Sequence, residues 1–492
     1  MKRRILSGRL ALGVTALVQA LVSCAGKEQA LPYSGFRPLG DLTITENPSL
    51  WGELNTHDPA IIKDNDYYYV FSTDASLGNL HPLGVQIRRS RDLITWEYRG
   101  AAFKDFEKDC AEAIAYAGLK PQNKDGLWAP DIVKVNGKYR LYFSASTFGS
   151  SRSCIALAEA NNIEGPYHYL GMVLKSNANA LREPNAIDPA VVVDASGNQY
   201  LSYGSFFGGI FLVPLDEKTG FVELEAVPRR IAGLRHAAVE GSCIVYLKDS
   251  GYYYLFLSYG SLSHDYNIRV GRSRDVDGPY LDAQGNDLAD LVPGNAGDVG
   301  TKLMGGYTFG GNQTPEPAER YKAPGHNSVL VDQRSGGAAF FIVHHVRSYG
   351  LPDYWFYMNV RRFFLNRWHW PVASPLRYQG EEPGALSLPE GDYDLVEHRS
   401  DSNGESHDSR AFRFRDGAIY AASPENTGEA LGTYRTYDGF RMELTLEGRP
   451  YDGVALIQYD AHGREVRTFT LMSEDGLCIW GRLGGNGLGS SG

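Results

Sequence analysis

Three acids stand out by the company they keep. Asp58 lies in His57-Asp58-Pro59, Asp188 in Ile187-Asp188-Pro189 and Glu240 in Val239-Glu240-Gly241, each heading an apolar, β-branched run. Trp128-Ala129-Pro130-Asp131-Ile132-Val133 and Gly325-His326-Asn327-Ser328-Val329-Leu330 follow the same plan. Unpaired acids ahead of apolar strands are costly to bury without a purpose. One chemistry fits them well. Inverting hydrolysis of a glycosidic bond needs a carboxylate that deprotonates water on one face of the sugar and a protonated carboxyl that donates to the leaving oxygen on the other. A third acid can orient the donor and raise its pKa by like-charge repulsion. Asp58, Asp188 and Glu240 are the candidates for these three tasks. The bland alternative is that Asp-Pro simply initiates turns, and Asp131 fits a supporting role on backbone amides better than a catalytic one.

The heads Asp58, Asp131, Asp188, Glu240 and His326 recur at intervals of 73, 57, 52 and 86 residues. Each run is followed by a turn and a Tyr/Phe-rich run ending in small residues, as in Ile61 to Thr73, and the later turns fall at Asn136-Gly137, Ser196-Gly197, Ser250-Gly251 and Ser335-Gly336. Units of this size predict four-stranded blades around one axis, a five-bladed β-propeller over residues 46–380 with all five polar heads turned into the central channel. Arg89-Ser90-Arg91-Asp92 with Gly271-Arg272-Ser273-Arg274-Asp275, and Glu164-Gly165-Pro166-Tyr167 with Asp277-Gly278-Pro279-Tyr280, repeat in the same manner. Only Lys104 to Lys120 carries a helical period, with Phe106, Cys110, Ala113, Ile114 and Ala117 on one face. Residues 386–482 alternate apolar and polar without the blade signature and predict a separate β-sandwich or barrel. Gly/Ser-rich residues 483–492 predict a flexible tail.

The 492 residues are 43% hydrophobic and 22% charged, with 31 Tyr and 56 Gly, a composition that leans toward a turn-rich, all-β build. A net charge of −10 without a basic stripe argues against nucleic acid and leaves a neutral polysaccharide as a compatible partner. Lys2-Arg3-Arg4, an apolar stretch from Leu10 to Val22 and Leu21-Val22-Ser23-Cys24 read as a lipoprotein signal over residues 1–24, with lipidated Cys24 and a tether over 25–45. The alternative is a plain signal peptide with an incidental cysteine. The mature protein is then expected to be an exported monomer that meets the membrane only through its lipid. Of the remaining cysteines, Cys110 and Cys154 are the one pair suggested as a disulfide, while Cys243 reads as a packed thiol.

Taken in order, His57-Asp58-Pro59, Asn185-Ala186-Ile187-Asp188-Pro189 and Glu240-Gly241 resemble the three catalytic motifs of glycoside hydrolase family 43, a family of five-bladed propellers. Gly126 to Asp131, Ser146-Thr147-Phe148-Gly149-Ser150, Tyr203 to Gly209 and Tyr266 to Ser273 resemble its endo-1,5-α-L-arabinanases. Pro324 to Ser328, Phe356 to Phe364 and Trp370-Pro371-Val372 resemble the two-domain members. The resemblance implies Asp58 as general base, Glu240 as general acid and Asp188 as the residue that orients and tunes the acid. It also implies sugar contacts from Asp58, Gly149, Asn185, Ala186, Ile187, Asp188, Ser205, Phe206 and Phe207, and a calcium ion near the base with His326 as its protein ligand. Trp128 and Phe206 are candidates to stack on sugar, with blade core as the alternative for these and for Phe148 and Phe207. His57, His344 and His345 are expected only to form hydrogen bonds. One departure is Gly-Ser-Cys after Glu240, where many relatives carry Ala-Pro or Gly-Pro, which bears on subsite shape around the acid. The expected activity is internal cleavage of arabinan. The rivals are an exo-acting α-L-arabinofuranosidase or β-xylosidase on the same scaffold, and a non-catalytic glycan-binding lipoprotein.

Overall fold

The computed structural model describes residues 44–177, 183–310, 320–384, 386–422, 428–460 and 463–484. The signal segment with Cys24, the tether up to residue 43 and the tail from residue 485 lie outside the described residues. Two ends of those predicted segments are nevertheless structured. Ile44 and Thr45 are buried, with the Trp51 indole donating to the Ile44 carbonyl, and the Gly484 N–H donates to the Asp392 carbonyl.

Five antiparallel sheets surround one axis. Blade 1 is β1 (Ala60–Asp64), β2 (Tyr67–Ser72), β3 (Gln86–Ser90) and β4 (Glu97–Ala101). Blade 2 is β5 (Leu127–Val135), β6 (Lys138–Ala145), β7 (Arg152–Ala160) and β8 (His168–Asn177). Blade 3 is β9 (Ala190–Val193), β10 (Gln199–Tyr203), β11 (Ile210–Leu215) and β12 (Arg229–Ala232). Blade 4 is β13 (Val239–Leu247), β14 (Tyr252–Tyr259), β15 (Asn267–Ser273) and β16 (Thr301–Met304). Short β17 (Tyr307–Thr308) precedes blade 5, formed by β18 (Arg320–Arg334), β19 (Gly337–Ser348), β20 (Phe356–Leu365) and β21 (Pro371–Ala373). The predicted turns are where they were expected; Asn136-Gly137, for example, joins Val135 to its partner Lys138 with both turn residues at positive φ.

The helical expectation is met by α1 (Phe106–Asp109) and α2 (Ala111–Ala117). Their buried Phe106, Cys110, Ala113 and Ala117 join the apolar cluster shared by blades 1 and 2. The suggested Cys110–Cys154 disulfide is not formed. Both are free, buried thiols in that same cluster, and burial pushes Cys154 up to about 12, so each behaves as a small apolar side chain.

A single device recurs at the blade heads. Asp58, Ala129, Asp188, Gly241 and His326 all have positive φ, between 39° and 59°, a conformation that non-glycine residues hold only when their surroundings enforce it. The enforcement comes from the preceding blade. Ala129 N–H donates to Thr73 Oγ1 (2.7 Å), Asp188 N–H to Ser144 Oγ (3.0 Å) and His326 N–H to Ser258 Oγ (2.6 Å). Thr73, Ser144 and Ser258, small residues closing second runs, therefore serve as pins for the next blade, while at blade 4 the Gly241 N–H is taken by Asp188 Oδ2. At the seam between blades 5 and 1 an imidazole replaces the hydroxyl, and Asp58 N–H donates to His345 Nδ1 (3.3 Å). Ser328 adds a second tie there, donating to the Pro59 carbonyl and accepting from Ile61 N–H.

The expectation that all five polar heads face the channel needs one correction. In blade 2 the head position belongs to Ala129, and Asp131, two residues on, bonds Val191 N–H of blade 3 (2.7 Å). A bulge between Trp128 and Asp131 moves the carboxylate off the axis. Its support of a backbone amide agrees with the role read from its sequence context.

The second domain is a closed antiparallel barrel in the order β22 (Gly391–His398), β24 (Arg410–Arg415), β25 (Ala418–Ala421), β26 (Gly432–Tyr437), β27 (Arg441–Leu446), β28 (Arg449–Tyr459), β29 (Glu465–Ser473) and β30 (Cys478–Leu483). Short β23 (His407–Asp408) leaves the barrel and pairs in parallel with β17, extending blade 5.

Candidate active site

Asp58 is the most heavily tied side chain of the channel. Its Oδ2 accepts from Thr73 Oγ1 at 2.5 Å, and its Oδ1 faces His57 Nδ1 at 2.8 Å, His326 Nδ1 at 3.0 Å and His345 Nδ1 at 3.6 Å. Burial alone would push this carboxyl up, but the charges and hydrogen bonds of His326 and His57 outweigh it and hold the group well below the usual carboxylate range. The same pairing acts on His326, where burial disfavours the charged ring and the Asp58 charge more than compensates, raising it to about 9. His345 is fully buried and stacked on His57, with ring centroids 3.8 Å apart. Burial keeps it neutral, in keeping with an Nδ1 that accepts the Asp58 N–H.

Glu240 is the second residue of β13 and reaches two hydroxyls. Ser205 Oγ donates to Oε2 (2.6 Å) and Tyr266 Oη to Oε1 (2.8 Å). Asp188 feels the charges of both this acid and Asp58. Its Oδ2 accepts Gly241 N–H (3.2 Å), which ties it to the residue directly after Glu240. Burial pushes the Asp188 carboxyl up to about 8; His326 opposes the shift, and the negative charges of Glu240 and Asp58 add to it. Gly241 is required by space as well as by its φ of 59°, because a Cβ there would lie 3.1 Å from the His326 ring. Gly325 is tighter still, since its Cβ would fall 2.0 Å from Tyr266 Cδ1.

Ser205, bonded to Glu240, belongs to a loop joining a second to a third strand. The loop 204–209 holds buried Ser205 and half-buried Phe206 and Phe207, both aromatics at positive φ and both against the His236 ring. Phe207 N–H donates to His236 Nδ1 and His236 N–H to the Phe207 carbonyl. In the loop 146–151 Phe148 is 88% exposed beside exposed Gly149. An aromatic so free of packing is not blade core. Trp128 is half-buried at the start of β5. Asn185, Ala186 and Ile187 are buried ahead of Asp188, with the Ala186 N–H and the Asn185 Oδ1 both on Ser176 Oγ; they brace the turn that aims Asp188.

Of the residues singled out in the sequence, Asp58, Asp188, Glu240, His326 and Ser205 are thus joined in one network. Four of its members were not foreseen as site residues: Thr73, Tyr266, His57 and His345. Thr73 closes a Tyr/Phe-rich run and Tyr266 stands within a quoted motif, so both carried a local signal. Nothing local distinguished His345 from His344, yet strand alternation sends one ring to Asp58 and leaves the other elsewhere.

An ionised carboxylate, a hydroxyl-bound carboxyl group and a buried third acid, gathered at the blade heads, form an arrangement suited to acid–base cleavage of a sugar linkage. Comparison with known proteins agrees. Residues 46–371 match the family described as glycosyl hydrolases family 43, and residues 375–481 match its C-terminal lipocalin-like domain. The chain is 32% identical over 465 residues to extracellular endo-α-(1→5)-L-arabinanase 2 of Bacillus subtilis, covering 88% of this chain and 93% of the relative. It is 32% identical over 478 residues to the extracellular endo-α-(1→5)-L-arabinanase of Thermotoga petrophila, covering 90% and 96%. The crystal structure of endo-1,5-α-L-arabinanase from Thermotoga petrophila superposes with a TM-score of 0.79 at 31% identity, over 88% of this chain and 99% of that one. With its catalytic and C-terminal regions both matched, this chain belongs to glycosyl hydrolase family 43.

Proposed function

We propose that the protein is an endo-acting, inverting hydrolase of the α-1,5 bonds of arabinan. The observation that carries this reading is the contrast between Asp58, kept ionised by imidazoles, and Glu240, held by two hydroxyls. Asp58 removes a proton from the attacking water on one face of the furanose. Glu240 gives its proton to the departing 5-oxygen on the other. Asp188 orients the acid through Gly241 N–H. Phe148, Phe206, Phe207 and Trp128 offer faces to the C–H surfaces of successive sugars, with Gly149 and Asn185 to Ile187 shaping the cleft. The names of the relatives supply the substrate and the internal mode.

The chain's export and tether rest on Lys2-Arg3-Arg4, the apolar stretch and Cys24, and the protein is taken to act as a monomer. A calcium ion is part of the same proposal. His326 Nδ1 is engaged by Asp58, its Nε2 has no partner among the described residues, and His57, Asp58 and His345 offer ligand atoms within 4.8 Å of one another. A hard cation prefers oxygen, and the Nδ1 atoms of His57 and His345 are already engaged by Asp58, so the ion that fits takes the His326 Nε2 as its one imidazole and keeps water for most of its shell. Bound there, it would supply positive charge that favours ionised Asp58 and acidifies nearby water.

Linear arabinan tests the reading. An early collapse of viscosity relative to released reducing ends supports internal cutting, and arabinose as the sole early product rejects it. Glu240→Gln decides between an enzyme and a binder, because a pure glycan-binding protein shows the same turnover before and after the change.

A further inference from the structure

The barrel does more than sit beside the propeller. Its segment from Arg399 to Ser409, between β22 and β24, lies across blade 4. There Arg269 is fully buried, and every one of its five N–H groups has an acceptor. Three are met within the propeller: Nε on Asn267 Oδ1 (2.9 Å) and Nη1 on the Val299 and Gly300 carbonyls (3.2 Å each). The other two come from the barrel, with Nη2 on the Ser400 and Asp401 carbonyls (2.9 and 2.7 Å). Asp401 is itself fixed. Lys302 Nζ, 3% exposed, meets its Oδ1 at 2.9 Å, and His407 Nε2 lies 3.3 Å from its Oδ2. Removing the segment would strand two donors of a buried guanidinium, a penalty large enough to displace the side chain.

What Arg269 holds is adjacent to the chemistry. Its acceptor Asn267 donates through Nδ2 to the carbonyls of Tyr259 (3.2 Å), directly before the loop that ends at Tyr266, and of Asp265 (2.9 Å), within it. Gly404 of the barrel touches the same loop directly; a Cβ there would come within 2.7 Å of His264 Cε1. Tyr266 in turn donates to Glu240 Oε1 (2.8 Å).

We propose that the Arg399–Ser409 segment of the barrel is a positioning element of the active site, acting through Arg269 and Asn267 to hold Tyr266 on Glu240. The inference rests on Glu240 being the general acid. Arg269 and Asp401 are positioning residues. They touch no substrate, and their effect passes through the phenol. Removing a hydrogen bond that matters only while the proton is being transferred lowers kcat and leaves KM in place.

The test uses the full chain on linear arabinan, with Tyr266→Phe, Arg269→Lys, Asp401→Asn and the two double variants that combine Tyr266→Phe with each of the others. Arg269→Lys and Asp401→Asn are each expected to lower kcat about tenfold with KM changed by less than about twofold, and to cost less than about twofold more once Tyr266→Phe is present. Losses that multiply fully with that of Tyr266→Phe, an unchanged kcat, or a loss confined to KM would each overturn the inference. Should Arg269→Lys fail to fold, Gly404→Ala, which presses on His264 without touching the guanidinium, is read by the same criteria. Failure of the underlying reading looks different, because Glu240→Gln would then turn over as fast as the unaltered chain.

Discussion

The two domains are both rings of antiparallel strands, and they fill their centres in opposite ways. Eight strands close the barrel around hydrocarbon: Tyr393, Phe412, Phe414, Met442, Leu444, Phe469, Leu471 and Ile479 meet inside it, and Phe414 is ringed by Tyr393, Tyr434 and Phe469 at centroid distances of 4.6, 4.7 and 5.8 Å. Five blades cannot bring their inner strands so close. The axis of the propeller keeps room, and polar heads occupy it. Burying them costs free energy that mutual pairing offsets only in part, as the raised carboxyl of Asp188 shows. One ring thus stores stability, and the other gives some of it up for chemistry.

Substitutions can break or sharpen that contrast. Asp58→Asn removes the proposed base and should lower kcat/KM on linear arabinan by about 10²–10⁴-fold, with the unfolding midpoint disturbed less than by a barrel-core truncation. Phe414→Ala is that truncation. It should cost about 3–5 kcal/mol in denaturant unfolding while the folded fraction keeps its kcat within about twofold; a large fall in kcat at full folding would show that the barrel core reaches the site. Chelation, followed by dialysis and calcium return, should lower activity reversibly by about tenfold, less than Asp58→Asn, because His57 and His326 still hold the carboxylate ionised.

The smallest effect is on stability against pH. Asp74 accepts N–H bonds from Gly84, Val85 and Leu127, yet burial pushes it up to about 7; Asp131 is likewise pushed up to about 6 and Asp188 to about 8. A carboxyl whose folded pKa is raised contributes stability that is fully present below its unfolded pKa near 4 and is lost as pH rises through the folded value. The melting temperature should therefore fall between about pH 7 and pH 8, above the range in which the buried, neutral His344, His345, His398 and His407 act in the opposite sense. Asp74→Asn should flatten that slope, and a slope that rises instead would contradict the sign.

Blade number, barrel and the acids at the heads were legible because alternation, turn pairs and head residues are local signals. The channel's exact membership was not. Bulges after Trp128, Glu240 and Lys322 shift register by single residues at the heads, so Ala129 rather than Asp131 takes the blade 2 position although the two segments read alike. Thr73 and Tyr266 sit in recognisable runs, but what they touch is set by the neighbouring strand. The Arg269–Asp401 contact joins residues from different domains, and nothing in either segment names the other.

The seam of the propeller carries a last consequence. The N–H that His345 accepts belongs to Asp58 itself, so the tie that shuts the circle also sets the attitude of the proposed base. Any momentary parting of the fifth blade from the first turns the carboxylate away from its water before a single sheet has come apart. Heat should therefore silence catalysis several degrees below the point at which the β-sheet signal is lost, and a bound arabinan chain spanning the joint should narrow that gap.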